Sequence, residues 1–249
     1  MKNLEVVELV LEEQQNYFMR EAFNTLRTNI LFSGKDIKNI VITSCMAHEG
    51  KTTVSTEVAK SLAESGKRVL LIDADLRKSV MATRYTKTRG LCGLSQLLSG
   101  QVEIDDAIYK TQIEGLHVIF AGPYPPNPTE LVGSPAFKEL LDAKRDEYDY
   151  ILIDAAPLGL VIDAAVMASV CDGAVLVINS GTVKYRFAQE VKLQLQKSGC
   201  RILGVVLNKV SRKNSGKYYN GYYSTYGYGQ DGHSNTGVTR SAGKPRSGK

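Results

Sequence analysis

Apolar, mostly β-branched runs alternate with helical segments through the middle of the chain. Six short apolar runs predict strands, and three longer segments between them predict helices. Strands that are apolar along their whole length and separated by helices are typical of a mostly parallel sheet covered on both faces. The sequence therefore predicts an α/β fold. The predicted strands are 40–44, 68–73, 116–121, 150–154, 174–179 and 202–207, and the predicted helices are 51–65, 128–145 and 184–198.

The first 35 residues show a different pattern, because their apolar residues recur three and four positions apart. This spacing indicates an amphipathic helix, and region 1–35 is predicted to be helical. Glu21, Asn24 and Arg27 fall together on a second, polar face. The apolar positions are Met19, Ala22, Phe23, Leu26 and Ile30.

The last segment, 211–249, contains no Leu, Ile, Met or Phe and only one Val. It cannot bury enough apolar surface to offset chain entropy, so we expect it to be disordered. The chain thus divides into a helical segment 1–35, an α/β domain 36–210 and a tail 211–249. A low-complexity tail without a regulatory role remains an alternative for this last segment. The tail nevertheless holds six tyrosines within eleven residues, at Tyr218, Tyr219, Tyr222, Tyr223, Tyr226 and Tyr228.

Composition narrows the functional classes. The chain has 249 residues, of which 43% are apolar and 23% charged, as in a soluble globular protein. No run approaches the ~18–20 apolar residues of a membrane helix, and the N-terminus lacks the apolar core of a signal peptide. Four widely separated cysteines form no C-x-x-C pair, which disfavours a zinc site and favours a reducing cytoplasm.

The net charge of +5 belongs to the tail, which carries seven basic residues and one acidic residue. The rest of the chain is nearly neutral. A nucleic-acid-binding protein usually shows its basic surface on the folded part. We therefore expect no nucleic-acid partner.

A glycine-lysine-threonine motif follows the first predicted strand and opens a helix. Gly50, Lys51 and Thr52 match the end of the pattern G-x-x-x-x-G-K-[ST], and Cys45 replaces its first glycine. Backbone N–H groups at a helix N-terminus bind phosphate, the lysine neutralises phosphate charge, and the hydroxyl can coordinate Mg²⁺. We interpret this segment as the phosphate loop of a P-loop NTPase fold rather than as a plain strand–loop–helix turn.

Two further predicted strands end in acids. One ends in Asp73, with Asp75 and Arg77 after it, and the other ends in Asp154. An aspartate at the carboxyl end of a strand beside a phosphate loop can hold Mg²⁺ directly or through water. Asp75 would project towards the crevice, where it could take a proton from an incoming hydroxyl.

The chain resembles the bacterial tyrosine autokinases of capsular and exopolysaccharide gene clusters. The features that carry this resemblance are the phosphate loop, the D-x-D-x-R segment, the D-x-x-P segment and the tyrosine cluster. The resemblance spans about residues 18–228 and is greatest to the CpsD/CapB type, whose kinase and membrane adaptor are separate chains. It implies an ATP:protein-tyrosine phosphotransferase that modifies its own tail, mainly between neighbouring subunits. The implied phosphoacceptors are Tyr218, Tyr219, Tyr222, Tyr223, Tyr226 and Tyr228.

The resemblance also assigns roles to the motif residues, with ATP and Mg²⁺ as cofactors. Lys51 and Arg77 are expected to stabilise charge on the transferring phosphoryl, and Asp75 to position or deprotonate a tyrosine hydroxyl. Asn208 is expected either to contact adenine or to be a strand-end turn residue. The expected metal ligands are Thr52, Asp73 and Asp154. The expected nucleotide-binding residues are Glu49, Gly50, Lys51, Thr52, Thr53 and Asn208.

Partners follow from the same resemblance. The expected partners are the cytoplasmic segment of a transmembrane polysaccharide co-polymerase adaptor, a phosphotyrosine phosphatase, and other copies of the chain, which the family assembles into a ring. The family's oligomerisation motif E-x-x-R-x-x-R is matched by Glu21 and Arg27, whereas Asn24 replaces its first arginine. Ala47 and His48 stand where the family commonly has Pro-Gly. The expected location is the cytoplasm, at the inner face of the membrane through the adaptor.

Two other classes remain as alternatives. A MinD/ParA-like ATPase switch shares the fold, the phosphate loop and the strand-end acids but phosphorylates nothing. That class carries a signature lysine five residues before the phosphate-loop lysine, and here Met46 occupies that position. A nucleotide-sensing regulatory subunit without catalysis would bind ATP and transfer no phosphate.

Overall fold

The computed structural model describes residues 4–11 and 17–210. Within these residues eight strands form one sheet in the order β1-β4-β5-β3-β6-β2-β7-β8. Paired strands run parallel, except that β4 and β5 are antiparallel. The strands are β1 (Val6–Val7), β2 (Asn39–Ser44), β3 (Val69–Ala74), β4 (Tyr109–Thr111), β5 (Leu116–Ile119), β6 (Tyr150–Ala155), β7 (Gly173–Asn179) and β8 (Arg201–Asn208).

Helices connect these strands and cover both faces of the sheet. Each of the six predicted strands is present within two residues of its predicted bounds, and the α/β prediction is confirmed. The helices in the described residues are α1 (Tyr17–Leu31), α2 (Lys51–Glu64), α3 (Met81–Tyr85), α4 (Leu94–Leu98), α5 (Ile104–Ala107), α6 (Pro128–Val132), α7 (Pro135–Lys144), α8 (Asp163–Ala168) and α9 (Tyr185–Lys197).

The core has two layers, one on each face of the sheet. Every residue of β2, β3 and β6 is buried, as expected for parallel strands with helices on both sides. Successive residues of β2 alternate between the layers: Ile40 and Ile42 pack with α1 and α2, and Val41 packs with α7, α8 and α9. This packing fixes the central strands and therefore the loops that follow them.

The N-terminal region differs from its helical prediction. Residues 4–11 are not helical, and β1 pairs parallel with β4. Val7 and Leu9 are buried whereas Val6 and Val10 are exposed, so this stretch alternates with the period of a strand. The side chain of Gln112 fixes it by hydrogen-bonding both the N–H and the carbonyl of Leu9. Helix α1 confirms the prediction for the later part, and the division at residues 35 and 210 stays a prediction.

The predicted helix 128–145 is also wrong as a single element, because it is split into α6 and α7. The break falls at Gly133 and Ser134, before Pro135. Proline lacks an N–H donor and disfavours helical geometry in the preceding residue, so a continuous helix is interrupted there. Pro135 then begins the second helix, a position in which its missing N–H costs nothing.

No helix within residues 4–11 and 17–210 combines the length and the apolar character that crossing a bilayer requires.

Candidate phosphate-loop site

The phosphate loop joins β2 to α2 and ends at a glycine that no other residue could replace without strain. Gly50 has φ 89°, in the left-handed region. A Cβ built at this position would lie 2.3 Å from Nδ2 of Asn208. The backbone conformation therefore favours glycine at the end of the loop, and any Cβ there would also displace the side-chain amide of Asn208.

Glu49, predicted to bind nucleotide, braces the loop through its buried side chain. Its Oε2 accepts the N–H of Met46 at 2.6 Å, and its Oε1 accepts the N–H of Asn179 at 2.9 Å. The first contact closes the loop on itself, and the second fixes it to the end of β7. The side chain of Glu49 thus supports the loop, while its backbone remains the part that could contact phosphate.

Cys45 replaces the first glycine of the motif without adding charge. The side chain is fully buried. Burial, aided by the nearby Glu49 carboxylate, raises the pKa of the Cys45 thiol to about 11. At neutral pH the residue is therefore an uncharged thiol, which does not repel a phosphate group electrostatically.

The first residues of α2 present the lysine and the hydroxyls of the motif. Lys51 Nζ lies 3.0 Å from Asp75 Oδ2, 3.7 Å from Asp154 Oδ2 and 3.3 Å from Thr52 Oγ1. Thr53, also predicted to bind nucleotide, accepts a hydrogen bond from Arg84 at 2.9 Å. The structure therefore brings Lys51 and Thr52 together with the predicted acids, and it ties Thr53 to α3.

Three aspartates meet at this edge because β3 and β6 are adjacent parallel strands. Asp73 of β3 is paired in register with Asp154 of β6. Asp75 follows two residues after Asp73, and its Oδ1 accepts the N–H of Lys78 at 3.0 Å. All three carboxylates are buried. The three acids named from the sequence therefore lie together at this edge of the sheet, and their roles stay predictions.

Two hydroxyls that the sequence analysis did not single out hold these carboxylates. Ser79 Oγ donates to Asp73 Oδ2 at 2.5 Å, and Ser55 Oγ donates to Asp154 Oδ1 at 3.1 Å. Ser55 lies one helical turn after Lys51, so helical spacing could have indicated it. Ser79 depends on the path of the turn after Asp75, for which the sequence gives no simple signal.

Burial dominates the electrostatics of the site. It raises the pKa of Asp73 to about 7, and the neighbouring Asp154 carboxylate adds to the rise. Burial likewise raises the pKa of Asp154, although Lys51 opposes the rise. Burial alone would lower the pKa of Lys51, but Asp154 and Asp75 raise it above its usual value. Three buried acids therefore share one lysine, which leaves the site short of positive charge.

This shortage fits a hard divalent cation. Oδ1 of Asp73 is buried and has no hydrogen-bond partner within residues 4–11 and 17–210, and carboxylate oxygens are preferred ligands of Mg²⁺. The same residues contain no group of three or more His, Cys, Asp or Glu placed to hold a metal alone. Mg²⁺ commonly keeps several waters and uses one or two carboxylates with substrate phosphates, so both observations suit it.

Arg77 is engaged by residues of α6 and α8. Its Nε donates to Asp163 Oδ2 at 2.7 Å, and its Nη2 donates to Thr129 Oγ1 at 2.7 Å and to Asp163 Oδ1 at 3.2 Å. Thr129 in turn donates to Asp163 Oδ1 at 2.6 Å. The sequence analysis missed Asp163, which is buried and fixes the direction of the guanidinium. A catalytic role of Arg77 stays a prediction.

Asn208 contacts the phosphate loop itself. Its Nδ2 donates to the carbonyl of Glu49 at 2.9 Å, from the end of β8. This contact gives Asn208 a role in the loop, and a contact with adenine stays a prediction.

The predicted oligomerisation residues make contacts within the chain. Arg27 Nη1 donates to the carbonyl and the hydroxyl of Ser61 in α2, each at 3.1 Å. Glu21 accepts a hydrogen bond from Asn24 at 3.1 Å. Arg27 therefore fastens α1 to the helix that begins at the phosphate loop. The six predicted phosphoacceptor tyrosines, 218–228, lie outside the described residues.

The fold and this site define a P-loop nucleotide-binding protein, and comparison with known proteins narrows the class. Residues 37–186 match the family described as AAA domain. The chain is 43% identical over 227 residues to the tyrosine-protein kinase CpsD of Streptococcus agalactiae, covering 91% of this chain and 97% of that protein. It is similar to the crystal structure of the chimerical protein CapA2B2, with 33% identity, a TM-score of 0.76, and coverage of 84% of this chain and 94% of that chain.

The chain belongs to the bacterial tyrosine kinases of the CpsD/CapB type. This confirms the resemblance drawn from the motifs and the assignment as a protein-tyrosine kinase with a P-loop fold. The septum site-determining protein MinD of Pyrococcus horikoshii is less similar, with 28% identity, a TM-score of 0.60, and coverage of 71% of this chain and 72% of that chain. The MinD-like alternative therefore has less support than the kinase.

Proposed function

We propose that this kinase transfers the γ-phosphoryl of ATP to the tyrosines at 218–228 of a neighbouring copy, and so regulates capsular or exopolysaccharide polymerisation and export. The observation that best supports this proposal is the 3.0 Å contact between Lys51 Nζ and Asp75 Oδ2. It joins a cation that can bind phosphate to a carboxylate that can accept a proton. Both groups are required for transfer from a nucleotide to a hydroxyl.

Lys51 has two sets of partners available in this scheme. In the structure it contacts Asp75 and Asp154, and both oxygens of Asp75 are engaged, by Lys51 and by the N–H of Lys78. When ATP binds, Lys51 turns to the β- and γ-phosphates, and Oδ2 of Asp75 becomes available. Nucleotide binding thus prepares the proton acceptor at the moment when the phosphoryl donor is in place.

Asp75 then receives the proton of the incoming tyrosine hydroxyl. The unperturbed pKa of tyrosine is about 10, so a positioned base increases its nucleophilicity at neutral pH. The hydroxyl oxygen forms a bond to the γ-phosphorus while the bond to the β,γ-bridging oxygen breaks. The products are phosphotyrosine and ADP, and Lys51 stabilises the charge on the leaving phosphate.

Asp73, Asp154 and Thr52 would hold Mg²⁺ at the same edge of the sheet. The free Oδ1 of Asp73 and the excess of buried negative charge support this assignment. When bound, Mg²⁺ neutralises charge on the phosphates. The side chains of Ser79 and Ser55 keep the two carboxylates in fixed directions. Arg77, whose guanidinium is held by Asp163, would add positive charge near the transferring phosphoryl.

Self-association and an adaptor complete the proposal. Transfer between copies requires assembly, to which Glu21 and the exposed part of α1 would contribute, while Arg27 is already bonded to Ser61. We further propose a cytoplasmic location at the membrane, through the cytoplasmic segment of a transmembrane polysaccharide co-polymerase, and reversal by a phosphotyrosine phosphatase. These partners rest on family membership.

A complementation experiment tests transfer between copies. One variant, Lys51→Met, lacks the catalytic lysine but keeps its tyrosines. The other carries Phe at the six tail tyrosines and keeps the catalytic site. Alone, neither should gain phosphotyrosine with Mg-ATP. Mixed, the Lys51→Met chain should become phosphorylated on residues 218–228. If the mixture gains none while the wild type does, transfer occurs within one chain and this part of the proposal is wrong.

The same experiment separates the kinase from a MinD-like switch. The likeness to MinD is the observation that favours the second candidate, and Met46, in place of a signature lysine, counts against it. A switch would hydrolyse ATP and leave every chain without phosphotyrosine. That result in the wild type, with and without the adaptor segment, would favour the switch.

A further inference from the structure

Two residues have an unusual backbone conformation, and they contact each other. His48 in the phosphate loop has φ 63°, and Lys209 directly after β8 has φ 55°. Within residues 4–11 and 17–210 they are the only non-glycine residues with positive φ. Lys209 Nζ donates to the carbonyl oxygen of His48 at 2.7 Å.

Such conformations are costly for residues with a Cβ, and they persist where surrounding contacts enforce them. At the end of β8 the enforcing contact is local, because Asn208 Oδ1 accepts the N–H of Lys209 at 2.8 Å. The same side chain donates through Nδ2 to the carbonyl of Glu49 at 2.9 Å. Two consecutive side chains at the strand end therefore hold two consecutive carbonyls of the loop.

The direction of these carbonyls determines the direction of the phosphate-binding groups. In a planar trans peptide, the carbonyl of one residue and the N–H of the next point in opposite directions. Holding the carbonyls of His48 and Glu49 towards β8 therefore turns the N–H groups of Glu49 and Gly50 the other way. Those N–H groups belong to the loop that binds phosphate in this fold.

We propose that Lys209 is a positioning residue for nucleotide binding, which holds the His48 carbonyl so that the loop keeps its N–H groups directed at phosphate. The inference rests on the proposed use of this loop for ATP. It also explains how the chain accommodates His48 where its family commonly has glycine: the contact with Lys209 maintains a conformation that glycine would adopt freely.

The test is nucleotide affinity of the full chain, measured by titration calorimetry with ADP and Mg²⁺. Lys209→Met keeps the aliphatic stem and removes the donor, and it should weaken binding about 3- to 10-fold, as expected for losing one charged hydrogen bond at a partly exposed site. Lys209→Arg keeps a donor and should restore most of the affinity. In kinase assays, Lys209→Met should raise KM for ATP and leave kcat nearly unchanged. General destabilisation of the fold would not change KM while preserving kcat.

A double-mutant cycle with His48→Gly identifies the partner. Glycine adopts positive φ without strain, so the loop should then depend less on Lys209. Lys209→Met should therefore weaken ADP binding less in the His48→Gly background than in the wild type. Equal losses in the two backgrounds would show that Lys209 does not act through His48 and would overturn the proposal.

Lys197→Met is the matched control, because Lys197 is an exposed lysine at the end of α9 and the charge change is the same. It should bind ADP like the wild type. If Lys197→Met weakens binding as much as Lys209→Met, net charge explains the effect and the proposal fails. If the wild type binds ADP and Lys209→Met binds equally well, only this inference is wrong. If the wild type itself binds no nucleotide, the proposed function is wrong.

Discussion

Lys51 Nζ, at the start of α2, lies 3.0 Å from Oδ2 of Asp75, which is buried just after β3; the Lys51 side chain is 12% exposed. The two residues are distant in the sequence, and they meet because β3, β6 and β2 are neighbouring parallel strands in the sheet. The contact places the lysine that is proposed to bind phosphate next to the proposed proton acceptor. Exchange of Lys51 between Asp75 and phosphate is therefore the step on which the proposed mechanism depends.

The pH dependence of stability should report Asp73. Its pKa is raised to about 7, because of burial and then the nearby Asp154 carboxylate, whereas an unfolded aspartate has a pKa of about 4. Between these values the folded chain binds the proton more tightly than the unfolded chain. The resulting stabilisation is complete below about pH 4 and is lost as pH rises to about 7. Without Mg²⁺, the wild type should therefore lose stability from pH 5 to pH 8.

Asp73→Asn removes this titration and nearly preserves the shape of the side chain. Its free energy of unfolding should fall less over the same range, so its stability relative to the wild type should increase with pH. Urea unfolding at pH 5, 6, 7 and 8 without Mg²⁺ measures the difference. Parallel pH curves for the two proteins would show that Asp73 ionises in the folded state as it does in the unfolded chain.

Ser79 should control the use of Mg²⁺ through Asp73. Its hydroxyl donates to Asp73 Oδ2, whereas the buried Oδ1 has no hydrogen-bond partner among the described residues. Removing a hydrogen-bond partner of a metal ligand typically costs 10- to 100-fold in metal affinity. Ser79→Ala should thus raise the Mg²⁺ concentration for half-maximal ADP binding about 10-fold and leave Mg²⁺-free ADP binding unchanged.

Ser79→Thr is the matched control for this prediction, because it keeps the hydroxyl. It should require nearly the same Mg²⁺ concentration as the wild type. Fluorescence titration with a labelled ADP at fixed protein and varied Mg²⁺ measures both variants. An unchanged Mg²⁺ requirement in Ser79→Ala would mean that Asp73 needs no support from Ser79.

Asp163 should be important for stability and for the direction of Arg77. The carboxylate is buried and receives hydrogen bonds from both Arg77 and Thr129. Asp163→Ala removes the carboxylate acceptor of the guanidinium and should lower the free energy of unfolding by about 2 kcal/mol. If Arg77 assists transfer, kcat should also fall in Asp163→Ala and in Arg77→Met by similar factors, with KM for ATP less affected. A kcat unchanged in both variants would remove Arg77 from the catalytic set.

The sequence predicted the strand-end acids because the relevant information is local. Each of β3 and β6 is an apolar run followed by an acid, and parallel pairing brings Asp73 beside Asp154. The phosphate loop could be predicted for the same reason, because its motif lies directly between β2 and α2 in the chain. The position of these acids could therefore be predicted from the sequence, and their roles stay predictions.

Several features depend on residues that are distant in the sequence, and the sequence did not predict them. Strand β1 has two residues, and it forms because β4 and Gln112 lie beside it. Ser79 and Asp163 act through turn paths and helix positions that no spacing rule describes. The hydrogen bonds of Arg27 to Ser61 likewise follow from how α1 packs on α2. Its role in contacts between copies, which the resemblance implies, stays a prediction.

Intact-mass spectrometry tests the central claim most directly. The wild type, Lys51→Met and the variant with Phe at the six tail tyrosines would be incubated with Mg-ATP, with and without the adaptor's cytoplasmic segment. Of the three proteins, only the wild type should gain phosphate increments, and these should map to residues 218–228. Increments in Lys51→Met, or undiminished increments in the six-Phe variant, would contradict the proposed lysine or the proposed acceptors. No increment in the wild type under either condition, with ATP still hydrolysed, would contradict the autokinase itself.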